Sequence, residues 1–179
     1  MVYLKHNMIP NSYIYDPSAA AAKAVQLARK GKSMPMEDGP VGDLLRDALV
    51  EGLADWVKAK TGYVYLASNP GTTNLYKIGQ TRSSLEQRMR SLNGAGVLVP
   101  WQAVMAWQVY DAPGLEARIH AACADLRIKG ELFQAPWREL VSRIERALQE
   151  DRQHLTDVLS PYDLSGSLFS VNPVEQLLH

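Results

Sequence analysis

The 179-residue chain has a single cysteine, Cys123. No disulfide can form within it, and a cysteine-rich metal site is excluded. Cys123 itself reads as a small apolar residue on a helix. Charge of one sign is also lacking: nineteen Lys and Arg balance nineteen Asp and Glu. That argues against a wholesale electrostatic DNA binder, which carries a large positive excess. No stretch approaches the ~20 apolar residues of a membrane span. Residues 1–16 hold no apolar run of signal-peptide length. A cytoplasmic location without membrane attachment is the expectation, with secretion by a signal-less route left open. Internal repeats, low-complexity tracts, zinc fingers and helix-turn-helix readers of base sequence are missing too.

What remains is ordinary globular material, 46% hydrophobic and 21% charged, enough for a real core. Its charge is uneven. Residues 1–61 hold eight basic against seven acidic residues, 62–140 eight against six, and 141–179 three against six. The middle is mildly basic and compatible with a local basic groove, and the tail is acidic.

Residues 1–16 read as extended or irregular, with scattered Tyr3, Tyr13 and Tyr15. Asp16-Pro17 then starts a helix, with a capping Asp and Pro at the first helical position, and Gly31 ends it. A linker follows. A second helix over about 41–60 carries Leu44, Leu45, Ala48, Leu49, Leu53, Trp56 and Val57 at three- and four-residue steps. Such an amphipathic face must pack on something, the core or a second subunit. The period changes after Gly62. Residues 63–67 and 75–79 read as a hairpin about the Asn69-Pro70-Gly71 turn. Ser83-x-x-Glu86 reads as a capping box for a helix closed by Asn93-Gly94. A third strand over 101–110, a helix from Pro113 to Leu126, a short strand over 130–135 and a helix from Pro136 complete the series, which turns irregular from Ser160.

Hairpin-linked strands with helices between them predict an α+β fold: a small, mainly antiparallel sheet of three to four strands flanked by helices. The expected organisation is an N-terminal helical extension over 1–61, a domain over 62–150, and an acidic, largely irregular tail over 151–179.

Within 62–133 an ordered set of residues stands out. The hairpin carries Gly62-Tyr63-Val64-Tyr65 and then Tyr76-Lys77-Ile78-Gly79; Arg88 follows on the capped helix, Glu116 and His120 on the next, then Arg127, Gly130, Glu131 and Phe133. This series resembles the GIY-YIG nuclease superfamily, and within it the phage-associated, T5orf172-like branch. The resemblance implies a metal-dependent endonuclease that hydrolyses phosphodiester bonds in DNA with Mg²⁺ or Mn²⁺. It departs from the superfamily name at one position: Lys77 stands where the second tyrosine belongs. Tyr76, one step earlier, points to the opposite face of the strand.

The chemistry asks for a water that loses its proton, a counter-charge for the phosphate oxygens and a stabilised leaving oxygen. By resemblance, Tyr65 deprotonates or orients the water and Lys77 lends the phenol positive charge. Tyr63 shares its strand face and is either a second participant or a β-former over the core. Arg88 offers a guanidinium fork to the phosphate. Glu116 holds the metal, since a hard cation takes carboxylate oxygen and keeps most of its waters. His120 shares the face of Glu116 and is a candidate acid, base or phosphate contact. Glu131 is either a second metal ligand or an edge charge paired with Lys129 or Arg127. Arg127 either clamps a phosphate or orients Glu131. Gln80, Thr81 and Asn93 are candidate backbone contacts to nucleic acid. The expected partners are DNA and a second copy of the chain through the N-terminal helices. A catalytically inactive nucleic-acid-binding or protein-interaction module on the same fold is the alternative.

Overall fold

The computed structural model describes residues 16–36 and 38–159, with the main chain alone for 154–159. The expectations for residues 1–15 and 160–179 lie outside the described residues.

By their internal contacts the described residues fall into two units, 16–56 with 153–159, and Val57–Arg152. In the first, helix α1 (Pro17–Ala28) begins as expected. The Asp16 carboxylate accepts from Ala19 N–H at 3.0 Å, and Gly31 follows the helix with φ +65°. Helix α2 (Pro40–Lys60) buries Leu45, Ala48, Leu49, Gly52 and Leu53. Gly52 sits against the Pro17 main chain, so any Cβ there would strike the Pro17 carbonyl. That contact and the buried Ala20, Ala21 and Ala24 of α1 make a small-residue helix packing. Val41 and Leu44 of the α2 stripe stay exposed.

The second unit holds β1 (Gly62–Ser68), β2 (Leu75–Thr81), α3 (Leu85–Leu92), β3 (Gln102–Val109), α4 (Ala112–Ala122), β4 (Arg127–Lys129), β5 (Leu132–Gln134) and α5 (Trp137–Leu159). The strands form one open antiparallel sheet in the order β3-β1-β2-β5-β4. The fold is α+β, as the pattern implied, with one strand more than expected. Gly130, at φ +56°, turns the chain tightly enough for β4 to fold back on β5. The stretch read as one short strand is thus the second half of a hairpin. No described helix is long and apolar enough to cross a membrane.

Register sets two unlike faces. One presents Val64, Leu66, Ile78 and Phe133, which pack with Leu115 and Ile119 of α4 and Leu140 and Ile144 of α5. Each such fully buried aliphatic or aromatic side chain stabilises by about 1.5–3 kcal/mol, so this layer carries the stability of the unit. The other face presents Tyr65, Ala67 and Ala106, covered by partly buried Leu85, Met89 and Trp101. Helix α3 buries no residue completely and depends on specific polar contacts for its placement. Its cap is Ser84, not Ser83: Ser84 Oγ accepts from Gln87 N–H at 3.2 Å. Ser83 is committed instead to Thr81, its N–H donating to Thr81 Oγ1 at 3.1 Å and its hydroxyl lying 2.8 Å from the same atom. The N-cap therefore lies one residue later than expected. Helix α4 starts on Asp111, whose carboxylate accepts from Gly114 N–H at 3.0 Å. Helix α5 continues to Leu159, into the segment taken as tail.

Candidate active site

Tyr65 and Gly79 are register partners at the centre of the hairpin. The Tyr65 ring is fully buried and lies across Gly79. A Cβ at Gly79 would sit 2.6 Å from Tyr65 Cζ. The missing side chain lets the phenol cross β2. There Arg88 Nε–H donates to the Tyr65 hydroxyl at 3.0 Å, and the guanidinium carbon stands 5.8 Å from the ring centroid. Arg88 is half-buried on the inner seam of α3. Because the phenol oxygen accepts from Arg88, its own O–H remains to donate. Burial raises the Tyr65 pKa, opposed by the Arg88 hydrogen bond and charge, and the balance lies above the ordinary 10.0. The phenol is therefore neutral at pH 7, a hydrogen-bond donor rather than a resting base.

The second half of the site forms where β2 loses its neighbour. β5 pairs with β2 only at Leu75, Tyr76 and Lys77. Beyond Lys77, the outward main-chain groups of β2 are taken by other partners. Ile78 N–H donates to the Glu131 carbonyl at 3.0 Å. His120 Nε2 lies 3.1 Å from the Ile78 carbonyl, and the Gln80 main-chain N–H favours the ionised Glu116 carboxylate electrostatically. Glu116 and His120, four residues apart on α4, thus both reach the free edge of β2.

A carbonyl only accepts, so Nε2 carries the His120 proton and Nδ1 holds the lone pair. The ring also packs on Phe133 at 5.1 Å. Burial lowers the His120 pKa below 6.5, which keeps the imidazole neutral at pH 7. The Glu116 pKa is raised, first by burial and then by the charge of Glu131; the Gln80 N–H, Arg88 and Lys77 oppose this. No Lys, Arg or His stands within ion-pair distance of Glu116 among the described residues. Glu131, by contrast, is engaged: Lys77 Nζ lies 2.6 Å from Glu131 Oε2. The ion pair expected with Lys129 or Arg127 is made with Lys77 instead.

Other candidates stand apart. Tyr63 is half-buried on the face of Tyr65. Arg127 is exposed, its guanidinium 5.4 Å from the Phe133 ring centroid. Thr81 is buried with its hydroxyl spent on Ser83. Gln80 keeps a buried side-chain oxygen with no hydrogen-bond partner among the described residues. The Asn93 amide clamps Trp101, donating to its carbonyl at 2.8 Å and accepting from its N–H at 2.7 Å. Sequence reading did not find Gly79 as a site residue. The signal was there, a glycine directly after Lys77-Ile78, but only the register with Tyr65 gives it a reason.

One family model matches, that of the T5orf172 domain, over residues 62–148. No curated protein and no solved structure matches the chain.

Proposed function

Residues 62–148 are a T5orf172 domain, associated with the GIY-YIG-like nucleases, and from that premise we propose a metal-dependent endonuclease that hydrolyses phosphodiester bonds in DNA. The observation that carries this reading is the Arg88 Nε–Tyr65 hydroxyl bond, 3.0 Å long, set over Gly79 beside the edge of β2 where Glu116 lies.

The donor set suits one hard cation. Glu116 is a desolvated carboxylate, raised in pKa, with no cation in ion-pair contact with it among the described residues. No cluster of three or more His, Cys, Asp and Glu able to hold a metal occurs among them. That disfavours a closed protein cage of the zinc type and favours an ion that keeps its waters. Glu116, with water and a substrate phosphate, would hold Mg²⁺ or Mn²⁺, which when bound neutralises charge growing on the phosphate oxygens.

The chain's own groups divide the remaining work. Arg88 has committed Nε to the phenol, and its two terminal nitrogens are left to fork onto phosphate oxygens. Tyr65, fully buried, acts through Arg88: its hydroxyl holds the guanidinium that orients the phosphate for in-line attack. His120 offers Nδ1 as a proton acceptor and keeps α4 registered on β2 through Ile78. A homodimer through the N-terminal helices remains the protein partner suggested by the exposed Val41 and Leu44 of α2.

The test is single-turnover cleavage of a labelled DNA duplex in Mg²⁺ or Mn²⁺. Tyr65→Phe and Arg88→Ala are each expected to slow the chemical step by about 10²-fold or more, with Arg88→Lys unable to restore it because a point charge cannot fork. Variants that cut as fast as the parent would refute these roles. Lys77 at the position of the motif tyrosine favours a second reading, a non-catalytic binding module. That reading predicts salt-sensitive binding without any cleavage.

A further inference from the structure

Lys77 and Glu131 are the two charged groups at the site whose work the proposed roles leave unassigned. Their arrangement is specific. Lys77 projects from the same sheet face as Tyr65, two residues before Gly79 on β2. Arg88 donates to that phenol from α3, so the two cations come from different elements. Glu131 is fastened to β2 twice: its carbonyl accepts from Ile78 N–H at 3.0 Å, and its carboxylate holds Lys77 Nζ at 2.6 Å. The Gly130 turn, at φ +56°, delivers it there. Neither head group is sealed from solvent; the side chains keep 18% and 36% exposure.

An ammonium group carries three donors and no acceptor. One is spent on Glu131, and two remain. A lysine on a four-carbon stem has considerable rotamer freedom, and a carboxylate at contact distance removes much of it. We propose that Lys77 is a second phosphate contact in addition to Arg88, and that Glu131 is its positioning residue rather than a metal ligand. This rests on the nuclease reading for its substrate, a nucleic-acid phosphodiester. It adds to that reading a different task for the residue at the second-tyrosine position: binding the phosphate.

Arrangement and chemistry agree. Glu131 gives one carboxylate oxygen, Oε2, to the Lys77 ammonium. Holding Lys77, it keeps a positive charge near Glu116, where that charge already opposes the rise in Glu116 pKa.

The experiment compares the full-length chain with Lys77→Met, Glu131→Ala and Glu131→Gln. Equilibrium binding of a labelled DNA duplex is measured in EDTA over a range of KCl. Single-turnover cleavage is measured in Mn²⁺, and melting curves confirm folding. One phosphate contact contributes about 0.9 to the slope of log affinity against log salt, so Lys77→Met is expected to lower that slope by about one. Glu131→Ala is expected to leave the slope intact and slow cleavage by about tenfold or more through misplacement of Lys77. Glu131→Gln, whose amide oxygen still accepts from the ammonium, recovers most of the rate. In the double variant Lys77→Met/Glu131→Ala, cleavage falls no further than in Lys77→Met alone.

An unchanged salt slope for Lys77→Met overturns the phosphate contact. A Glu131→Gln variant as slow as Glu131→Ala, or rate losses that multiply in the double variant, overturns the positioning role. If the parent binds duplex but cuts nothing, the nuclease reading fails while the slope still decides the Lys77 contact. If it cuts and the slope is unmoved, the nuclease reading stands and this inference falls. A parent that binds no duplex at all overturns both.

Discussion

Replacing Gly79 by alanine isolates the geometry on which the site depends. The backbone there is not left-handed, so alanine meets no φ penalty, and any cost comes from what its methyl group strikes. That methyl would stand 2.6 Å from Tyr65 Cζ, where ordinary contact begins at 3.4 Å. The ring must therefore move by about 1 Å, and being fully buried under α3 it has no free space to enter. Overpacking of this kind costs about 1–3 kcal/mol. Losing the Arg88–Tyr65 hydrogen bond adds about 1.5–3 kcal/mol, as for bonds to charged groups. Against this, glycine to alanine in a strand returns about 0.5–1 kcal/mol of chain entropy. The net loss is about 1.5–5.5 kcal/mol, which for a domain of this size lowers Tm by about 6 °C or more. Circular-dichroism melting of Gly79→Ala measures it directly. The same change in a Tyr65→Val background is expected to cost little, giving a coupling energy of at least about 1.5 kcal/mol. Additive effects within about 0.5 kcal/mol would refute the claim that the phenol needs the space over Gly79.

Two further predictions turn on protonation. The folded-state pKa of Glu116 is raised above 4.5 by burial and by Glu131, so the ionised form weakens the metal-free fold above that pH. Glu116→Gln is expected to melt higher than the parent at pH 7 without metal, with the gain vanishing below about pH 4.5; an equal or lower Tm at pH 7 would contradict the electrostatics. His120 shifts the other way, its folded pKa depressed below 6.5 by desolvation. Its stability contribution is full above the unfolded pKa and is lost as pH falls through the folded value. Denaturant melts of His120→Gln are expected to lose less stability than the parent between about pH 6.5 and 5, and parallel profiles would exclude His120 as the titrating group.

Much of this fold was legible before any coordinates. The Asp16-Pro17 start, the hairpin over 62–81 and the helix carrying Glu116 and His120 follow from local signals: caps, turn residues and hydrophobic period. The errors lie where two local signals compete. The cap was read at Ser83, but Thr81 claims that serine and Ser84, the next residue, caps the helix. The β4–β5 hairpin was missed because three-residue strands are too short to show alternation, and its turn rests on the φ of Gly130 alone. Within the site, the residue types were readable but their partners were not. Nothing local says that Lys77 meets Glu131 across fifty-odd residues of chain, or that Asn93 is consumed by the Trp101 main chain. Gly79 shows the limit most plainly, since its role exists only in the register that lays Tyr65 across it.

The central claim is that Glu116, on the edge of β2 beside the Arg88–Tyr65 pair, makes this domain a metal-dependent nuclease. The most direct test is nicking of supercoiled plasmid by the full chain and by Glu116→Gln at equal concentration, titrated with Mn²⁺ and reversed with EDTA. The account predicts metal-dependent conversion of the plasmid by the parent and none above background by the variant. Equal nicking by both proteins, or no cleavage by the parent at any Mn²⁺ concentration, would contradict it.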